Sequence, residues 1–180
     1  EFTFSRPLRW LLILWNDLPL SLPFFNIPCG NVTYGNRFLG LEKSIPINTA
    51  EEYLPVLRKN KVIADIAERR TEITKQLANT FPERDYQVIP NPNLIETVIN
   101  LVEFPTAVTG QFDTKYLSLP DKIIISTISQ AQKYFAVQDK QGNLSSRFVF
   151  ISNGNPEYIQ IIRQGNEKVV NARLADALWY

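Results

Sequence analysis

The sequence predicts an α+β fold, with a mixed, largely antiparallel sheet or sheets and flanking helices. Strand-like aromatic and β-branched runs come in blocks joined by turn signals, without strict strand–helix alternation. Other segments repeat their apolar residues at helical spacing, as in Leu94, Ile95, Val98, Leu101 and Val102. The chain has 180 residues, 44% hydrophobic and 21% charged, an ordinary globular balance. This is enough for a single domain over 1–180, with possible sub-layers 1–60 and 61–180.

Leu8 to Trp15 is a continuous apolar run that reads as a buried strand. Asn16-Asp17 is a turn signal. A second strand is expected from Leu18 to Phe25, at an edge or bulge because of Pro19 and Pro23. Pro28 to Asn31 and Tyr34 to Asn36 carry loop chemistry. Thr49 to Glu52 matches a capping box before a helix ending near Arg58, with Pro55 delaying its start or kinking it. A long helix is expected from Val62 to Thr80, with Ile66, Ile73 and Leu77 on one face.

Tyr86 to Ile89 is a short strand, and Asn91-Pro92 opens a helix with proline preset at its first position. Ala107 to Phe112 and Ile123 to Ile128 read as strands. Tyr134 to Val137 and Phe148 to Ile151 flank the turn Asp139 to Asn143, a hairpin. Asn155-Pro156 starts another helix, which Gly165 interrupts. A closing helix runs from about Asn166, with Val170, Leu174, Ala177 and Leu178 as its apolar stripe. Arg173 and Asp176 are spaced to pair on its surface.

Composition limits the chemistry. There is no histidine and no methionine, so imidazole acid–base catalysis and Ser-His triads are excluded. With one cysteine, Cys29, the common zinc sets are excluded too, and the lone thiol fits a reducing compartment. Without a histidine base, Cys29 reads as a loop or core residue and not as a nucleophile. Gly30, Gly35 and Gly40 do not have phosphate-loop spacing. Net charge is +1, too little for strong autonomous nucleic-acid binding. The longest apolar run is too short to span a bilayer, and no signal peptide is visible. Beginning on Glu1 and not on Met fits a piece of a longer chain.

An ordered set of short motifs runs through nearly all of the chain: Phe4-Ser5-Arg6-Pro7-Leu8-Arg9-Trp10, Gly35-Asn36-Arg37-Phe38-Leu39-Gly40, and Lys61 to Asp65 with Glu68-Arg69-Arg70. It continues with Glu103-Phe104-Pro105, Thr109-Gly110-Gln111-Phe112-Asp113, Gln132-Lys133-Tyr134-Phe135 and Ser152-Asn153. Gly165-Asn166-Glu167-Lys168-Val169-Val170 and Arg173 to Ala177 close it. In this order and spacing the set resembles the β subunit of bacterial-type glycyl-tRNA synthetase. The resemblance implies an internal module with a fold like the B3/B4 domain of phenylalanyl-tRNA synthetase. It further implies tRNA(Gly), the α subunit or α region and other β domains as partners, with no membrane, in the cytoplasm.

The parent reaction uses ATP and magnesium; no cofactor is expected within this chain. No catalytic or metal-binding residue is assigned. Arg37, Lys133, Lys168 and Arg173, basic residues inside the motifs, are the candidate tRNA contacts. Asn166, Glu167 and Asp176 are the accompanying polar residues. The leading expectation is tRNA interaction and subunit architecture in support of glycine charging. The alternatives are hydrolytic editing of mischarged tRNA, by analogy of fold, and an inert structural spacer. Family members commonly carry histidine where this chain has Asn36 and Ala131, so the chain reads as divergent or composition-restricted. At the closing pair, Trp179-Tyr180, at least one ring is expected to pack back on the core or into a contact.

Overall fold

The computed structural model describes residues 8–21 and 27–179. Phe4 to Pro7 of the first motif, residues 22–25 of the expected second strand, and Tyr180 lie outside them. The chain divides into two compact units, Glu1–Asp65 and Ile66–Tyr180.

The first unit is built of short β pairs. The expected buried strand at 8–15 is two pieces, β1 (Leu11–Leu12) and β2 (Leu14–Trp15), and Trp15 is 68% exposed. Asn16 and Asp17 both adopt positive φ, 47° and 63°, the turn that a two-residue hairpin requires. That turn pairs β2 with β3 (Leu18–Pro19). The expected loop at 28–31 instead holds β4 (Cys29–Gly30), which pairs in parallel with β1. β5 (Val32–Tyr34) pairs with β6 (Ser44–Pro46).

α1 (Tyr53–Lys59) carries Pro55 in its first turn, where no intrahelical N–H is needed. Its capping differs from the box expected at Thr49. Glu52 stands at the N-cap and accepts the N–H of Asn48 at 3.1 Å. Ile47, Leu57 and Ile63 are buried in this unit.

The second unit is a four-stranded sheet between two helical layers. Strand order is β7 (Tyr86–Val88), β9 (Phe135–Asp139), β10 (Leu144–Ser152), β8 (Thr106–Gln111), and every pairing is antiparallel. The fold is therefore α+β with antiparallel sheets, as the sequence predicts. Alternation along β10 sends Val149 to one face and Phe148 and Phe150 to the other. The first face packs on α2 (Ile66–Ala78) and α3 (Pro92–Ile99) through Ile73, Leu77, Leu94 and Val98. The second packs on α4 (Asp121–Ser126) and α5 (Ile159–Leu178) through Ile124, Val170 and Leu174.

Several expectations are corrected here. The segment 123–128 is not a strand. Pro120 caps α4, Asp121 sits in its first turn, and Ile124 and Ile128, four apart, are both fully buried; helical spacing outweighs the β preference of the isoleucines. A π-helix, Thr127–Ala131, continues from it. α2 starts at Ile66 and not at Val62, because Lys61 turns the chain at φ 61°; Ile66 is 52% exposed and so is not on the buried face. Gly165 does not interrupt the last helix, which is continuous through it. Leu101, expected on the buried face of α3, is 54% exposed beyond the helix end.

Candidate functional site

Several polar residues of the motifs hold the second unit together. β8 is an edge strand, and Phe112 N–H turns inward to the Ser146 carbonyl at 2.9 Å. The alternate N–H groups of Ala107, Gln111 and Asp113 therefore point outward. Each meets a side chain. Gln76 accepts from Ala107 at 2.7 Å, Glu167 from Gln111 at 3.0 Å, and Asn171 from Asp113 at 2.9 Å. The Tyr134 hydroxyl donates to Asn166, and the Asn153 side-chain Oδ1 accepts the N–H groups of Glu103 and Phe104 at 2.9 and 3.0 Å. Motifs far apart in sequence thus close on one another in pairs. Gly110 belongs to the same design: a Cβ there would lie 2.4 Å from the Phe148 ring.

Electrostatics follow these contacts. The backbone N–H and ammonium of Lys115 hold the Asp113 carboxyl below its usual range. Burial raises the pKa of the Tyr134 hydroxyl. In the hairpin turn, burial pushes Asp139 upward, but the N–H groups of Asn143, Gln141 and Gly142 prevail and lower it.

Of the four candidate cations, one is in the first unit and three are in the second. Arg37 is in the first unit, paired with Glu42 at 3.0 Å. Lys168 and Arg173 are both exposed on α5, five residues apart and so roughly 140° around the helix. Arg173 lines a cleft of about 580 Å³ with Ser126, Thr127, Gln130 and Asp176. No ion pair joins Arg173 to Asp176, although their spacing allows one.

Lys133, at φ 61°, follows the π-helix and lines a second cleft of about 310 Å³, which shares Gln130 with the first. Lys133, two residues past the π-helix, and Arg173, on α5, thus each line a cleft with Gln130, and neither has an ion-pair partner among the described residues. Asn166 and Glu167 stand apart from these clefts in their structural bonds.

The sequence reading missed Gln130 and Ser129. No spacing rule singles them out, because the π-helix that places them beside the clefts is absent from the pattern. Asn36, where histidine is common in the resembling family, is fully buried with neither side-chain polar atom bonded. Trp179 is 89% exposed and does not pack on the core. No described helix is long and apolar enough to cross a membrane.

The family model for the glycyl-tRNA synthetase beta subunit matches residues 1–180. The chain belongs to the glycyl-tRNA synthetase β-subunit family. It is 40% identical over 180 residues to the glycine–tRNA ligase beta subunit of Lactiplantibacillus plantarum. Identity is 39% to that of Dictyoglomus thermophilum and 41% to that of Streptococcus pyogenes serotype M49, each over the whole chain. The chain spans 26% of the length of these relatives. Its edge-capping set around Gln111, Asp113, Glu167 and Asn171 consists of residues from the motifs that carry the family resemblance, together with Asn171 one position beyond.

Proposed function

We propose that the chain serves glycine charging as part of a cytoplasmic glycyl-tRNA synthetase, beside an α subunit, by contacting tRNA phosphates at the two clefts around Gln130. The observation that carries this reading is the placement of Lys133 and Arg173. Two exposed cations without ion-pair partners flank one segment and are free to neutralise phosphates. Arg37 is paired with Glu42, and Lys168 projects elsewhere on α5, so the reading is carried by Lys133 and Arg173. The ATP and magnesium of the parent reaction are assigned outside these 180 residues.

With net charge +1 and two phosphate contacts, binding is weak and salt-sensitive. The expected slope of log K against log salt is about −1.8 on a duplex arm. Filter binding of tRNA(Gly) between low and moderate salt tests the reading. Each of Lys133→Gln and Arg173→Gln is expected to reduce the slope by about 0.9, while Lys168→Gln leaves it unchanged. If the Lys133→Gln/Arg173→Gln double variant binds tRNA as tightly as the parent chain, the assignment is wrong.

A further inference from the structure

The two edges of the four-stranded sheet are finished differently. Along β8 the outward N–H groups of Ala107, Gln111 and Asp113 meet side chains. β7 forms the opposite edge. Just past it, the Ile89 N–H turns inward to the Ala136 carbonyl at 2.8 Å. Alternation therefore sends the backbone groups of Tyr86 and Val88 outward. None of these groups meets a partner among the described residues. A bare edge of this kind is a template for another strand.

A cleft of about 510 Å³ opens beside this edge, between β7, the end of α2 and the start of α3. Leu77, Phe81, Val88 and Ile95 give it apolar walls. Tyr86 and Val88 face the layer that holds α2 and α3. A strand laid against β7 would thus send every second side chain into the cleft. Arg84 also lines it, and no carboxylate does. Arg84 has no ion-pair partner among the described residues. Of the acids flanking it in sequence, Asp85 is paired with Lys140 at 3.4 Å, and Glu83 stands outside the lining. The Tyr86 ring already carries the Arg147 guanidinium at 4.5 Å and the tilted Phe81 ring at 5.7 Å, so it is a poor platform for a nucleotide base.

We propose that the β7 edge and this cleft bind an extended acidic peptide segment of a protein partner, which joins the four-stranded sheet as a further strand. Its backbone pairs with Tyr86 and Val88. Its alternate apolar side chains enter the cleft, and a carboxylate beside them meets Arg84. The bare backbone calls for an extended chain, the apolar walls for a period of two, and the unpaired guanidinium for the acid. The inference is independent of the tRNA reading, whose clefts lie around Gln130.

The test is fluorescence anisotropy of the chain with a labelled peptide of about six residues, alternating valine with threonine and glutamate. Saturable binding is expected, with amide NMR shifts at Tyr86 and Val88. Replacing glutamate by glutamine in the peptide should weaken binding about two- to fivefold, and Arg84→Gln should remove that difference. Val88→Pro deletes an outward N–H at an edge that tolerates proline, so it should fold, as a thermal melt would confirm, and should abolish binding. Should it fail to fold, methylating the peptide amides that face β7 asks the same question from the ligand side. The proposal is overturned if the peptide does not bind, if the methylated peptide binds equally well, or if Arg84→Gln keeps the preference for glutamate. It is also overturned if a single-stranded oligoribonucleotide displaces the peptide and shifts the same amides, which would make the cleft an RNA site. Sedimentation showing a dimer that Val88→Pro dissociates would instead assign the edge to a second copy of the chain.

Discussion

The Glu167 carboxylate on α5 accepts the backbone N–H of Gln111 on β8 at 3.0 Å. A helix side chain thereby finishes the hydrogen bonding of a sheet edge. An uncapped edge invites pairing with another chain. Here Gln76, Glu167 and Asn171 close three of the outward donors, at Ala107, Gln111 and Asp113. The same contacts fix the rotation of α5 and so determine where Arg173 projects.

Glu167→Ala should therefore cost about 1–2 kcal/mol of stability, because the Gln111 N–H loses a charged acceptor. Glu167→Gln, which keeps an acceptor oxygen, should cost less. Urea denaturation measures both. A Glu167→Ala variant as stable as the parent would show that water replaces the cap without penalty.

Gly110 is required by Phe148. A Cβ at 110 would meet ring carbons at 2.4, 2.8 and 3.0 Å. The ring is stacked on Tyr134 with centroids 5.4 Å apart, so it has little room to yield. Gly110→Ala should destabilise by about 1–3 kcal/mol. Adding Phe148→Leu should recover part of that loss, giving a favourable coupling energy in a double-mutant cycle. Strictly additive effects would mean the clash is relieved elsewhere.

The sheet of the second unit was legible because its strands alternate and its hairpin turn carries Gly142 in a positive-φ position, 87°. α3 was legible from Asn91-Pro92. The isoleucine run at 123–128 misled because β-branched residues resemble a strand, while its helical identity depends on burying Ile124 and Ile128 against α5 and the sheet. The candidate site was less legible. Glu167 and Lys168 are neighbours in sequence, yet one caps an edge strand and the other is exposed, and only tertiary packing separates them. Ser129 carries no sequence signal; its place beside a cleft comes only from the π-helix and the packing around it.

Tyr134 makes the second unit sensitive to alkaline pH. Burial raises the pKa of its hydroxyl above the ordinary tyrosine value of about 10. A group whose folded pKa is raised contributes stability below its unfolded pKa, and that contribution is lost as pH rises through the folded value. Stability should therefore fall above about pH 10. Tyr134→Phe should flatten that part of the fall, at a cost of about 1 kcal/mol near neutrality from the lost bond to Asn166. Urea midpoints at neutral and alkaline pH, compared between the two proteins, decide it. Equal alkaline slopes would assign the loss to other groups.

Gly165 offers a stabilising change. It lies inside the continuous helix α5, away from positive φ, and a Cβ there would meet nothing within 4 Å. Glycine in a helix interior is less favourable than alanine by roughly 0.5–1 kcal/mol, chiefly through the freedom of the unfolded chain. Gly165→Ala should raise stability by about that amount and leave the caps at Gln111 and Asp113 in place. It should also leave tRNA binding through Arg173 unchanged, since the helix is neither lengthened nor rotated. A Gly165→Ala variant that melts earlier than the parent would show that the helix needs glycine at this point, as the sequence alone had suggested.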